Sequence, residues 1–94
     1  MRIRWLRKAL QNLDAELEFI AQEDQDLAHK IYLHLMERIE TLKEFPNHGR
    51  NGRVFGTREL VIERYPYIIP YRVRENTVEI LRVFHTSRKL PEKW

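Results

Sequence analysis

A chain of 94 residues, 43% of them hydrophobic, has room for one modest core and no second domain, so residues 1–94 are read as a single unit. Lys and Arg outnumber Asp and Glu by 17 to 14, and the resulting charge of +3 favours acidic partners while leaving placement more important than the total. The absence of cysteine excludes disulfides, thiolate catalysis and any zinc site not built from His and carboxylates, and no apolar run reaches the length of a signal peptide or membrane span, so the default location is cytoplasmic with no membrane partner.

Arg2 to Trp5 alternates charged and apolar residues and reads as a short opening strand able to join a later sheet. From Leu6 onward, Leu10, Leu13, Leu17 and Ile20 recur at helical spacing among polar residues. Asp24 or Asp26 is placed to cap a second helix, whose stripe runs through Ala28, Ile31, Tyr32, Leu35, Ile39 and Leu42 until Pro46 ends it. Two helices with so short a connection form an antiparallel hairpin, and its apolar face needs a sheet to cover. Pro46 to Gly56 reads as a glycine-rich loop carrying Arg50 and Arg53, a linker by the plain reading and a phosphate-fitting loop by the sharper one.

Three strand-like runs come next: Glu59 to Tyr65, Tyr67 to Arg74 and Val78 to His85. Pro66 separates the first two, and Glu75-Asn76 supplies a tight hairpin turn between the others. Alternation places Tyr67, Ile69, Tyr71 and Val73 on the core face, with Ile68, Pro70, Arg72 and Arg74 opposite. Pro70 cannot donate to a ladder, so its strand needs an irregularity or a free side there. In the last run Val78, Ile80, Arg82 and Phe84 oppose Glu79, Leu81, Val83 and His85, and apolar residues on both faces mark a central strand. The end, Leu90 to Trp94, either folds over the sheet or frays.

Of four histidines, His29 and His34 fall in the second helix and read as surface or interhelix packing residues, while His48 sits in the loop. No His-x-x-x-His pair appears, and neither a metal nor any cofactor is expected. His85 differs, because a side chain titrating near neutrality stands beside Arg88 and Lys89. Metal-free RNA cleavage needs a base, a cation for the phosphorane and an acid, which these three could supply. Arg82 falls on the face opposite His85 unless a bulge intervenes. The plainer reading has His85 and Arg88 capping the strand and pairing with carboxylates, and Glu63 and Glu79 serving as salt-bridge partners. Both readings stand on the residues alone.

The segment GTRELVIERYPYIIPYRVRENTVEILRVFHTSR resembles the C-terminal half of RelE/ParE toxins, and with the Ile-x-Trp opening and helix hairpin the likeness covers nearly the whole chain. The resemblance implies an α+β fold of order β-α-α-β-β-β, with the hairpin packed on a mainly antiparallel sheet. It also implies the toxin of a type II toxin–antitoxin module, neutralised by a co-encoded antitoxin wrapped over its surface; the basic surface leads us to expect an amphipathic segment with acidic residues laid on an exposed groove beside the helix hairpin. RelE-like members cut mRNA on the ribosome; ParE-like members poison DNA gyrase. Arg88 matches a basic residue of the nucleases, and Trp94 falls near their late catalytic tyrosine. Ile68 and Val61, however, stand where a catalytic arginine and RelE's lysine occur. His85 resembles the histidine closing this strand in many ParE-like sequences. The expected mechanism is RNA cleavage, with His85 and Arg88 catalytic and Arg53, Arg58, Arg64 and Lys89 binding RNA. Gyrase inhibition is the alternative, and a non-toxic adaptor domain the third.

Overall fold

The computed structural model describes all 94 residues. In chain order the elements are β1 (Arg2–Trp5), α1 (Arg7–Ala21), α2 (Gln25–Glu40), a 3-10 turn (Thr41–Lys43), β2 (Arg50–Asn51), β3 (Arg58–Ile62), β4 (Tyr67–Arg74), β5 (Thr77–Ile80) and β6 (Phe84–His85). The strands form one sheet of order β1-β5-β4-β3-β2, with β6 also pairing β4. β1 runs parallel to β5 and every other pairing is antiparallel. The fold is therefore α+β, as expected, with β2 added and the last run split in two.

Asp24 caps α2 by accepting from the Leu27 N–H at 3.0 Å. α1 lacks a side-chain cap and an acid in its first turn; instead the Leu6 N–H donates to the Ile80 carbonyl and ties the helix entry to the sheet. The buried line of α1 is Ala9, Leu13 and Glu16, and that of α2 is Ala28, Ile31, Leu35 and Ile39. Leu10 and Tyr32, expected in these stripes, lie on their margins at 45% and 40% exposure. Against the hairpin pack Tyr67, Ile69 and Tyr71 of β4 with Val78 and Ile80 of β5. Val73 shares that face but extends beyond the helices and is exposed.

The β4–β5 turn places both Glu75 and Asn76 at positive φ, 52° and 57°, which matches the twist of a tight hairpin. Beyond it the ladder slips. Tyr71 pairs with Ile80, yet Tyr67 pairs with His85, so β4 advances four residues while its partner advances five. The extra residue is a β-bulge, and it reverses the facing of the residues beyond it. His85 and Val83 consequently share the helix side with Ile80, correcting the expected alternation. Arg82 remains opposite His85, because both lie beyond the slip. The same break accommodates Pro70, whose carbonyl accepts from the Leu81 N–H: its missing donor points to the side where Leu81 to Val83 have left the ladder. β5 lies between β1 and β4, the interior position expected for it.

Tyr71 pins the long loop. Its hydroxyl donates to the Pro46 carbonyl at 2.7 Å and accepts from the Gly49 N–H at 2.8 Å. A Cβ at Gly49 would lie 2.6 Å from that ring, so no larger residue fits.

Candidate functional site

The bulge brings His85 to a cluster on the helix side of the sheet with Glu16 of α1 and Tyr67 of β4. The His85 and Tyr67 rings meet edge to face at 5.4 Å. The Tyr67 hydroxyl donates to Glu16 Oε1 at 3.4 Å, and Arg88 Nη2 lies 2.6 Å from Glu16 Oε2. Burial, reinforced by the Glu16 charge, pushes the Tyr67 hydroxyl up to about 12. His85 Nδ1 accepts from the Ser87 N–H at 3.2 Å and lies 2.6 Å from Ser87 Oγ. His85 and Arg88 are thus neighbours, as the sequence suggested, but each already has a partner. A nitrogen that accepts from a backbone N–H holds no proton of its own and must give up that bond to act as a base.

The other residues expected to bind RNA do not gather here. Arg53 stands on the outer face of the sheet, over the Trp94 ring at 5.6 Å, and also 3.6 Å from Glu59. Arg58 donates to the Gly49 carbonyl at 2.9 Å and so braces the loop. Arg64 lies in the β3–β4 connection against Tyr65, beside a shallow depression that also holds His34, Arg38, His48 and Glu63. Lys89 is exposed. Glu63 makes no ion pair, whereas Glu79 pairs with Arg72 at 2.6 Å and Arg4 at 3.8 Å. Glu59, buried at the start of the β3 ladder, collects Arg50 and Arg53. Both loop arginines therefore share one buried carboxylate while their side chains stay exposed. No group of His, Asp or Glu is arranged to hold a metal.

The outer face carries a different arrangement. Val61 of β3 stands directly opposite Ile68 of β4, and Ile68 opposite Phe84 of β6. Trp94 extends this apolar row, its ring 5.7 Å from that of Phe84. Its indole N–H donates to Thr57 Oγ1 at 3.1 Å, and its main-chain oxygen accepts from Arg82 Nε at 2.9 Å. The C-terminal segment folds over the sheet, one of the two outcomes foreseen for it. Beside Trp94 lies a groove of about 540 Å³ with Leu6, Leu81 and Phe55 among its apolar lining and Arg7, Lys8, Arg72, Arg74 and Arg82 around it. No Asp or Glu side chain lines it.

Three comparisons bear on this geometry. The family model described as "ParE toxin of type II toxin-antitoxin system, parDE" matches residues 3–90. The chain is a member of the ParE toxin family. It is 42% identical to the candidate toxin Y4kP of Sinorhizobium fredii over 91 residues, covering 97% of this chain and 94% of that one. It is 34% identical to toxin RelE2 of Caulobacter vibrioides over 84 residues, covering 89% and 93%. A chain of the chromosomal ParDE toxin–antitoxin system of P. aeruginosa superposes with a TM-score of 0.83 at 32% identity, covering 90% of this chain and 95% of that chain. A ParE toxin of a type II system implies an antitoxin partner. No helix of the chain is long and apolar enough to cross a membrane.

Glu16 was missed as a site residue because an acid in an amphipathic helix reads as solvated surface. Its signal lay in position, since 9, 13 and 16 fall on one helical line. The outer-face arginines were separated in sequence and became one surface only through strand pairing.

Proposed function

We propose that this ParE-family toxin acts on DNA gyrase and cleaves no RNA, reversing the order of mechanisms expected from the cationic residues. The observation that carries the reading is the Val61–Ile68 pair, two apolar side chains facing each other across adjacent strands where the resemblance to RelE-like nucleases would put a lysine and a catalytic arginine. Phosphorane charge there would meet hydrocarbon. His85 and Arg88 lie on the other side of the sheet and are engaged by Ser87 and Glu16. Cleavage of RNA requires donors aimed at the developing charge, and scattered cations, Arg53 and Arg88 among them already paired with carboxylates, do not supply them. Membership of the ParE family supports the same reading.

The test adds purified protein to a gyrase supercoiling reaction and, separately, to ribosomes programmed with mRNA. Loss of supercoiling with intact mRNA is the expected result. Codon-positioned cuts in the mRNA with unaffected gyrase would overturn the proposal.

A further inference from the structure

Charge in this chain is unevenly placed. The hairpin and its 3-10 turn, residues 7–43, hold eight acidic and five basic residues, leaving six acidic and 12 basic for the rest. Much of that positive excess lies on the outer face of the sheet. Strand register sets Arg4, Glu79 and Arg72 in one row across β1, β5 and β4, and Arg2, Thr77 and Arg74 in the next. Glu79 is the one carboxylate in those rows, and it is buried beneath Arg72 and Arg4. Arg2 and Arg74 have no carboxylate within ion-pairing distance. Arg74 also joins these rows to the groove beside Trp94, where Arg7, Lys8 and Arg82 continue the surface.

We propose that this face binds the sugar–phosphate backbone of duplex DNA, so that the toxin grips a gyrase–DNA complex through the nucleic acid as well as the enzyme. The proposal rests on the gyrase reading for its setting, while the DNA contact stands on the geometry. Three observations favour DNA over an acidic peptide. The depression over Arg2, Arg4 and Arg74, which also holds Glu75 and Glu79, has a single apolar residue among seven, Ile3, so the apolar floor that an amphipathic peptide needs along its length stops at the Trp94 groove. Six of the seven cations are arginines, whose planar fork matches phosphate oxygens two at a time. Two-residue steps along β1 space its arginines about 6.6 Å apart, and two strand widths set Arg4 and Arg72 about 10 Å apart, a cationic grid against a polyanion with a charge every ~1.7 Å of axis.

Fluorescence anisotropy with the full chain and a labelled duplex of about 20 base pairs tests this. With about five phosphates contacted, raising potassium chloride from about 50 mM to about 200 mM weakens binding about 500-fold. Arg2→Ala with Arg74→Ala lowers the slope of log K against log salt by about two, while Lys30→Ala with Arg38→Ala on α2 leaves it unchanged. A second variant separates binding from folding. Arg7 and Lys8 occupy the first turn of α1, where positive charge opposes the helix dipole, so Arg7→Glu with Lys8→Glu raises Tm and weakens DNA binding together. No binding at the lower salt, an unchanged slope in Arg2→Ala/Arg74→Ala, or capture of an acidic amphipathic peptide where DNA fails to bind would each overturn the proposal. Gyrase inhibition without DNA binding sinks this inference and spares the gyrase reading; DNA binding without gyrase inhibition does the reverse.

Discussion

Arg88 Nη2 lies 2.6 Å from Glu16 Oε2, and this pair fastens the segment after β6 to the middle of α1. The Glu16 side chain is 8% exposed, so without the guanidinium its charge would keep only the longer bond from the Tyr67 hydroxyl. Leaving such a group under-satisfied costs about 1–3 kcal/mol. Arg88→Ala is expected to lower the urea midpoint by that equivalent, and Glu16→Gln in the same chain to restore most of it, because a neutral amide needs no counter-charge. An unchanged midpoint in Arg88→Ala would refute the structural role and return the residue to the candidate catalytic set.

The two buried carboxylates on the sheet are expected to make stability fall in acid. Burial alone would raise Glu59, but the Arg53 N–H and the Arg50 guanidinium hold it below the usual carboxylate range. The Arg72 hydrogen bond does the same for Glu79. A depressed folded pKa gives stability that is complete above the unfolded value, about 4.5, and is lost as pH falls through the folded one. At the alkaline limit the sign is reversed. Tyr67, raised to about 12, contributes stability that is complete below its ordinary pKa and disappears as pH climbs towards that value. Urea midpoints measured across pH should therefore fall at both limits, with Glu59→Gln flattening the acid fall and Tyr67→Phe the alkaline one. Retention of the full acid slope in Glu59→Gln would show that its arginine partners do not set that limit.

Tyr67–Arg74 was legible as a strand with the right inward face because Tyr67, Ile69, Tyr71 and Val73 fall on one side, Arg72 and Arg74 on the other, and its flanks carry turn chemistry. The helices were legible through their stripes and the Asp24 cap. The bulge between Ile80 and Phe84 was not, since Leu81 and Val83 are both apolar and no glycine marks the extra residue. That single residue decided the facing of His85, and with it which side chains His85 could meet. β2 stayed hidden inside a glycine-rich loop because two residues carry no period. The outer cationic face depends on β1 lying parallel to β5, a contact between residues more than seventy positions apart that no local pattern encodes.

Trp94 holds the 52–57 loop against the sheet by touching Thr57, Arg53, Arg82 and Phe84 at once. Truncating it removes a hydrogen bond worth about 0.5–1.5 kcal/mol and an aromatic pairing of similar size. Trp94→Ala is expected to lower stability by roughly 1–3 kcal/mol and to speed hydrogen exchange at the Gly52 N–H, which donates to the Thr57 carbonyl, more than at the β4 amides. Equal acceleration throughout the sheet would show that the residue supports the whole fold and not the loop.

His85 is expected to act as a strand-end brace. Nδ1 receives the Ser87 N–H, turning the chain out of β6 towards Arg88, and the ring edge packs on Tyr67. A general base would have to release the Ser87 bond before taking a proton, at the cost of the turn that positions Arg88 on Glu16. His85→Gln keeps an acceptor of similar reach but loses the ring packing, so it should lower stability by about 0.5–1.5 kcal/mol while leaving growth arrest intact when the chain is induced in bacteria. His85→Ala, which loses acceptor and ring together, should destabilise more and still arrest growth at a temperature where it is folded. Thermal unfolding of both variants, set beside their growth curves, decides the matter: arrest abolished in His85→Gln at unchanged Tm would assign the imidazole a proton-transfer role and refute the brace.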